Sequence, residues 1–198
     1  GGELDSSLRP DKMAWIHSDE SLITHVTPLP DIPELRAVGF TRLAEKLSDD
    51  DPRWWNDDRV NKFITSLSET QRSRFDHLVN ADEVVARTAY RRTRNGAPVW
   101  ELRDDDIAGC LRTARGGSSK QAVAFLGGGK ARVRWMTALE YAKLQGAAKF
   151  NIAGFTESQV HYAFGDAVAV PAVTWLMHAA VLPALNARSE EADLRAAL

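Results

Sequence analysis

The chain has 198 residues, 44% hydrophobic and 26% charged, an ordinary composition for a globular protein that buries a core. A single cysteine, Cys110, excludes an internal disulfide framework, and no purely apolar run approaches the roughly 20 residues of a membrane span. A cytoplasmic protein without a membrane partner is therefore expected. The net charge of −2 conceals an uneven distribution: −7 over residues 1–83, +7 over 84–134 and −2 over 135–198. The middle third is where a phosphate-binding surface would lie, although a solvated basic face has the same count.

Gly1-Gly2-Glu3-Leu4-Asp5 lacks a basic, apolar leader and reads as a start within a longer protein. Closely spaced prolines (Pro28, Pro30, Pro33) predict an extended, loosely organised opening. Phe40 to Leu47 predicts a short helix, broken by Ser48-Asp49-Asp50-Asp51-Pro52. A helix over about Asp57 to Leu67 follows from Val60, Phe63, Ile64 and Leu67, which fall on one helical face. Ser68-Glu69-Thr70-Gln71 opens the next, with Phe75 and Leu78 inward. Trp54 and Trp55 read as core or interface anchors.

Val84 to Arg94 then predicts a strand, Asn95-Gly96 a hairpin turn, and Ala97 to Leu102 the returning strand. Pro98 places that strand at a sheet edge. Arg87 and Arg91 alternate onto one face, Arg92 and Arg94 onto the other with Tyr90, so at least one face meets solvent or phosphate. Ile107 to Leu139 contains no acidic residue. Within it, Arg112 and the loop Arg115-Gly116-Gly117-Ser118-Ser119-Lys120-Gln121 combine cations, base-reading side chains and a backbone that can approach phosphate. A plain flexible loop fits the same residues.

Gly127-Gly128-Gly129-Lys130 is no phosphate-binding P-loop, because Ala124 and Ala131 stand where Gly and Ser or Thr are needed. It predicts a hairpin turn in a ribbon carrying Arg132 and Arg134. Ile107-Ala108-Gly109-Cys110-Leu111 looks strand-like, with Cys110 as a small buried hydrophobe. Asp104-Asp105-Asp106 reads as a solvated turn, and no His or Cys spacing suits a metal. Thr137-Ala138-Leu139-Glu140 and Thr156-Glu157-Ser158-Gln159 are capping boxes, and Gly146 suits a helix C′ position. Pro171 suits a helix first turn. Val173, Leu176, Met177, Ala180 and Val181 would form a broad apolar face, with Pro183 ending or kinking that helix. The tail past Asn186 should fray.

Two C-terminal stretches carry a family resemblance. Arg134-Trp135-Met136-Thr137-Ala138-Leu139-Glu140-Tyr141-Ala142-Lys143-Leu144-Gln145-Gly146 and Phe164-Gly165-Asp166-Ala167-Val168-Ala169-Val170-Pro171 resemble the last two motifs of DNA cytosine-5 methyltransferases. Arg134, Thr137, Glu140, Leu144, Gln145 and Gly146 match the first pattern. Lys143 stands where the family usually has Arg, Ala147-Ala148 where it has Phe-Pro, and Asp166 where it has Asn. The basic loop and hairpin also resemble parts of the family's target-recognition regions, which precede the first of these motifs.

The resemblance implies an α+β architecture: a mixed recognition domain with a basic β-hairpin or ribbon, then C-terminal helices that complete a methyltransferase α/β domain. Residues 1–134 would be the recognition domain, with a helical cap at about 36–80 and a basic β region at 84–134. Residues 135–185 would pack on the catalytic domain, and 186–198 would be a tail. Double-stranded DNA would be bound by Arg87, Arg91, Arg92, Arg94, Arg112, Arg115, Gly116, Gly117, Ser118, Ser119, Lys120, Gln121, Arg132 and Arg134. Asp166 and Ala167 would neighbour S-adenosylmethionine, although an Asp carboxylate lacks the N–H of Asn.

In that family a Pro-Cys cysteine attacks C6 of a flipped-out cytosine, a Glu-Asn-Val acid assists at N3, and C5 takes the methyl group. This chain has neither motif, nor the Gly-rich cofactor strand. It is expected to recognise DNA and to be inactive alone, with the catalytic half in the same protein or a separate bacterial subunit, as in a restriction-modification system. The alternatives are a non-catalytic DNA-binding or regulatory module and a protein-interaction domain with a basic face.

Overall fold

The computed structural model describes residues 15–22, 31, 33–34, 38–113 and 120–186. The chain divides into two compact units, one of Gly1–Glu34 with Trp175–Leu198 and one of Leu35–Thr174. The fold is mixed α+β, with a four-stranded antiparallel sheet and several helices. Among the described residues the elements are α1 (Trp15–Ser18), α2 (Phe40–Leu43), α3 (Asp57–Thr65), α4 (Glu69–Val79), β1 (Val85–Arg94), β2 (Ala97–Leu102), β3 (Ala122–Gly127), β4 (Lys130–Trp135), α5 (Ala138–Leu144), α6 (Glu157–Asp166) and α7 (Val170–Leu176).

In the Leu35–Thr174 unit, local chemistry sets most element ends. Asn56 accepts from the Arg59 N–H at 3.0 Å to start α3, and Asp57 and Asp58 in its first turn complement the helix dipole. Ser68 caps α4 in the same way. Asn95 and Gly96 take φ of 50° and 77°, the paired left-handed conformation of a tight hairpin turn, and they join β1 to β2. The strand order is β2-β1-β3-β4, so Pro98 lies on an edge strand, where its missing N–H leaves the ladder intact. The second hairpin turns at Gly128 and Gly129, which donate to Ala81 and Val79 carbonyls at 2.7 and 2.9 Å and so lock the turn to the end of α4.

Alternation along the strands builds two cores. Ala89, Trp100, Leu102, Ala122, Ala124, Leu126 and Val133 face α3 and α4 and pack with Trp55, Phe63, Leu67 and Phe75. Ala86, Val123 and Phe125 lie in the second core, with Phe40 of α2, Tyr141 and Ala142 of α5, and Val160 and Phe164 of α6. The sheet is thus a middle layer with helices on both faces. The expected division at 134/135 falls inside β4, and α5 packs in the same core as β3.

Two expectations need correction. The helix expected over Phe40–Leu47 stops at Leu43, where Ala44 turns to an extended conformation. The stretch 107–113 is not a strand, and Cys110 is exposed; a buried glutamine, described below, occupies the interior position beside it. Of the two outcomes expected at Pro183, an end or a kink, the helix does not end there. A π-helical turn over Met177–Val181 precedes it, with the Leu182 N–H donating to the Met177 carbonyl, and the chain stays helical to Asn186. The wider turn shifts the hydrogen-bond register just before the residue that lacks an N–H.

The segment Glu157–Asn186 contains an 18-residue window of mean hydropathy 1.7 and is long and apolar enough to cross a membrane by length and composition. Charged and polar residues interrupt it, which is why it escapes a search for purely apolar runs, and the backbone leaves the helical form at 167–169. In the other unit, the Trp175 indole donates to the Asp31 carbonyl at 3.2 Å. The tail from 187 and the loop 114–119 lie outside the described residues.

Candidate nucleic-acid interface

The site rests on a buried joint between β4, α5 and α6. Arg134 and Glu140 are both fully buried and form a two-pronged ion pair, with contacts of 2.6 and 2.8 Å. Glu140 also accepts from the Thr137 and Glu45 N–H groups, each at 2.8 Å, while Arg134 donates to the Glu45 carbonyl at 2.8 Å. The capping box thus serves as the anchor of an ion pair. At the far end of α5, Gln145 donates to the carbonyls of Phe164 and Ala167 at 2.8 and 3.1 Å. Its own carbonyl accepts from the Val170 N–H at 2.9 Å. Gly146, at φ 75°, ends α5, and a Cβ there would stand 2.5 Å from the ring of Pro171. The two motif-like stretches are therefore one physical unit.

That joint carries the loop in front of it. A Cβ on Gly165 would lie 2.5 Å from the backbone of Arg112, so this glycine lets the 112–113 segment lie directly on α6. Thr113 donates to the Asp166 carboxylate. Gln121, 1% exposed, donates to the carbonyls of Gly109 and Cys110 at 2.9 and 3.1 Å. The segment 109–113 is pinned at both ends.

Facing this segment is a cleft of about 640 Å³ whose lining includes Arg91, Arg92, Arg94, Arg103 and Arg112 together with Cys110. Arg92 and Arg94 share one carboxylate, Glu101, at 3.3 and 3.0 Å, and Arg103 pairs with Asp105. Burial raises the pKa of Glu101, but hydrogen bonds from Tyr90 and Arg94 and the charge of Arg92 hold it below the usual carboxylate range. The Tyr90 hydroxyl, bonded to Glu101, titrates above its ordinary value. Residues 92–98, the tip of the β1–β2 hairpin, are all exposed. The result is a protruding cationic ribbon beside a concave arginine wall, whose guanidinium forks have the charge and geometry for bidentate bonds to an anion.

Of the residues expected to meet DNA, Arg91, Arg92, Arg94 and Arg112 line the cleft. Arg115, Gly116, Gly117, Ser118 and Ser119 lie outside the described residues; their flanks, Thr113 and Lys120, are described. Lys120 stands 5.6 Å over the Trp135 ring, and burial lowers its pKa.

Arg134 and Gln121 are corrected by their burial, and the other expected residues have these contacts. Arg134 is buried in its ion pair. Gln121 lines the cleft but is buried, its amide committed to the backbone of the opposite segment. Arg87, whose side chain is 12% exposed, pairs with Asp106 at 3.0 Å. Arg132 lies 4.1 Å over the Trp54 ring and pairs with Asp49. Asp166 and Ala167 are both exposed, and both bond within the joint, Asp166 to Thr113 and the Ala167 carbonyl to Gln145. Arg103 was missed by sequence reasoning because three aspartates follow it; Asp105 pairs with Arg103 itself, Asp106 with Arg87 and Asp104 with Arg74.

Comparison with protein-family models, with curated proteins and with solved structures finds no match. Among the described residues no group of three or more His, Cys, Asp or Glu side chains could hold a metal ion.

Proposed function

We propose that this chain is the DNA-recognition portion of a DNA cytosine-5 methyltransferase, binding duplex DNA through the arginine cleft and hairpin. The catalytic half, with its thiol nucleophile and most of its S-adenosylmethionine pocket, comes from elsewhere in the same protein or from a partner subunit. The observation that carries the reading is the attachment of the cleft to the joint. Thr113, beside Arg112, bonds to Asp166, and Gly165 admits the Arg112 backbone. Residues that resemble two family motifs thereby position cations suited to phosphate.

Each part has a physical role on this reading. The buried Arg134–Glu140 pair fixes the sheet against α5. The cleft, Arg92 included, neutralises phosphates, and the hairpin tip offers Arg94 to base edges, since a two-stranded ribbon fits the major groove. Val168, Val170 and Val173 are exposed and supply an apolar surface for the catalytic half to cover. The cytoplasm of a bacterium is the matching location.

Two measurements test the reading. Duplex affinity across a salt series should fall steeply as salt rises; salt-independent or absent binding overturns the DNA assignment. Methyl transfer from S-adenosylmethionine to duplex DNA should be absent for this chain alone and appear with a catalytic half. Activity of the chain alone would overturn the division of labour.

A further inference from the structure

A second cationic pocket lies on the opposite face of the β1–β2 hairpin. Arg91 is directly across from Trp100 in the ladder, so the two side chains share a face, and Tyr90, Arg92 and Arg94 point to the other. On the Trp100 side, a cavity of about 270 Å³ has Arg59, Lys62 and Arg91 in its lining and no acidic residue among the described residues that line it. Its wall is a cluster of three indoles, with ring centroids of Trp55, Trp100 and Trp135 between 5.1 and 5.7 Å apart.

Two observations mark the pocket as a receptor rather than a plain core edge. The Arg59 guanidinium lies 4.2 Å over Trp55 and 5.0 Å over Trp135, and its pKa is lowered by burial and then by the charge of Arg91. An anion beside a partly buried guanidinium favours its charged form. The Trp55 Nε1–H, on a residue only 9% exposed that lines the cavity, is buried without a hydrogen-bond partner among the described residues. A buried unpaired donor is costly, and an acceptor within its reach would satisfy it.

From this pocket we infer a second phosphate-binding site, formed by Arg59, Lys62 and Arg91, that holds the backbone of the DNA strand opposite to the one held by Arg92 and Arg112. The inference rests on the DNA reading above and adds a geometry to it. A β-ribbon lying in the major groove has one nucleic-acid backbone on each side. Arg91 of this hairpin lines the cavities on both faces. The contacts with Trp55 and Trp135 restrain the Arg59 guanidinium, which lessens the rotamer freedom given up when it binds phosphate.

The experiment is a salt series of duplex binding by the whole chain, repeated with Arg59→Ala plus Lys62→Ala and, separately, Arg92→Ala plus Arg112→Ala. Each neutralised phosphate contributes about 0.9 to the slope of log affinity against log salt, so each pair should lower the slope by about 1.8. Lys62 is exposed, so Lys62→Ala alone, with an expected drop of about 0.9, keeps the test valid if the double variant fails to fold. Replacing single phosphates with neutral methylphosphonates should then locate the phosphates held by the two pairs on opposite strands. An unchanged slope for the Arg59/Lys62 pair, with a reduced one for Arg92/Arg112, overturns the second site and leaves the DNA reading intact. Phosphates of a single strand serving both pairs also overturn it. No salt-dependent duplex binding by the unsubstituted chain overturns both.

Discussion

The two hairpins of the sheet have similar sequences in one respect and opposite uses for it. β1–β2 carries Arg87, Arg91, Arg92 and Arg94; β3–β4 carries Arg132 and Arg134. In β1–β2 the arginines at the tip are exposed around one shared carboxylate. In β4 the arginine nearest α5 is wholly enclosed by a carboxylate of its own. The difference comes from place in the sheet. β4 runs straight into a helix that packs back on it, whereas the β1–β2 tip runs past its neighbours into solvent. A basic stretch is thus two things: one part is an exposed cationic surface, the other a fastener.

Breaking the fastener should have the largest effect. Arg134→Ala leaves Glu140 buried and unpaired, which costs about 3–5 kcal/mol, and urea unfolding should show it as a lower midpoint. A loss under about 1 kcal/mol, the range of an exposed pair, would erase the contrast between the hairpins. Next comes Gly165→Ala. The added methyl meets backbone, so relief requires the 112–113 segment to move, at a cost of about 1–3 kcal/mol by overpacking. Duplex affinity should fall with it, because Arg112 moves too. Full affinity in a destabilised Gly165→Ala chain would detach the joint from the cleft.

Much of the framework was legible because it is local. Asn95-Gly96, the capping-box residues Thr137 and Glu140, Gly146 and the edge-strand Pro98 each act within a few residues of themselves, and each does what its chemistry implies. The candidate site was legible only in part. Arg92, Arg94 and Arg112 could be read from charge density, but the burial of Arg134 and Gln121 depends on partners such as Glu45 and Gly109, which are distant in sequence. The exposure of Cys110 was hidden for the same reason. An apolar run of five residues looks like a strand until the sheet positions beside it are known to be filled. Arg59 was unreadable because nothing in α3 alone announces the indoles beneath it.

A smaller effect tests the buried side through pH. His161 is 1% exposed, and its ring nitrogen lies 2.9 Å from the Met136 carbonyl. Burial first, and the Lys120 charge second, lower its pKa below the ordinary histidine value. A folded-state pKa below the unfolded one means that the unfolded chain binds the proton more readily. Stability contributed by neutral His161 is therefore full above about pH 6.5 and is lost as pH falls from there toward the folded value. Urea midpoints measured downward from pH 8 should decline in that window, and His161→Gln should flatten the decline. An identical decline in His161→Gln would place the titration elsewhere.

The smallest effect on stability is the most informative about the hairpins. Arg92→Ala removes an exposed partner of Glu101, so the fold should change by no more than about 0.5 kcal/mol. Glu101 keeps Tyr90 and Arg94 as hydrogen-bond partners, and no buried charge is left alone. Duplex binding should nevertheless lose one phosphate interaction, about 0.9 in salt slope. Set beside Arg134→Ala, this gives a crossed pattern: a large loss of stability at one arginine with phosphate binding kept in the molecules that stay folded, and a loss of binding at the other with the fold unchanged. If the two substitutions moved stability and binding in parallel, the arginines would have one use, and the division between the hairpins would be a difference of exposure alone.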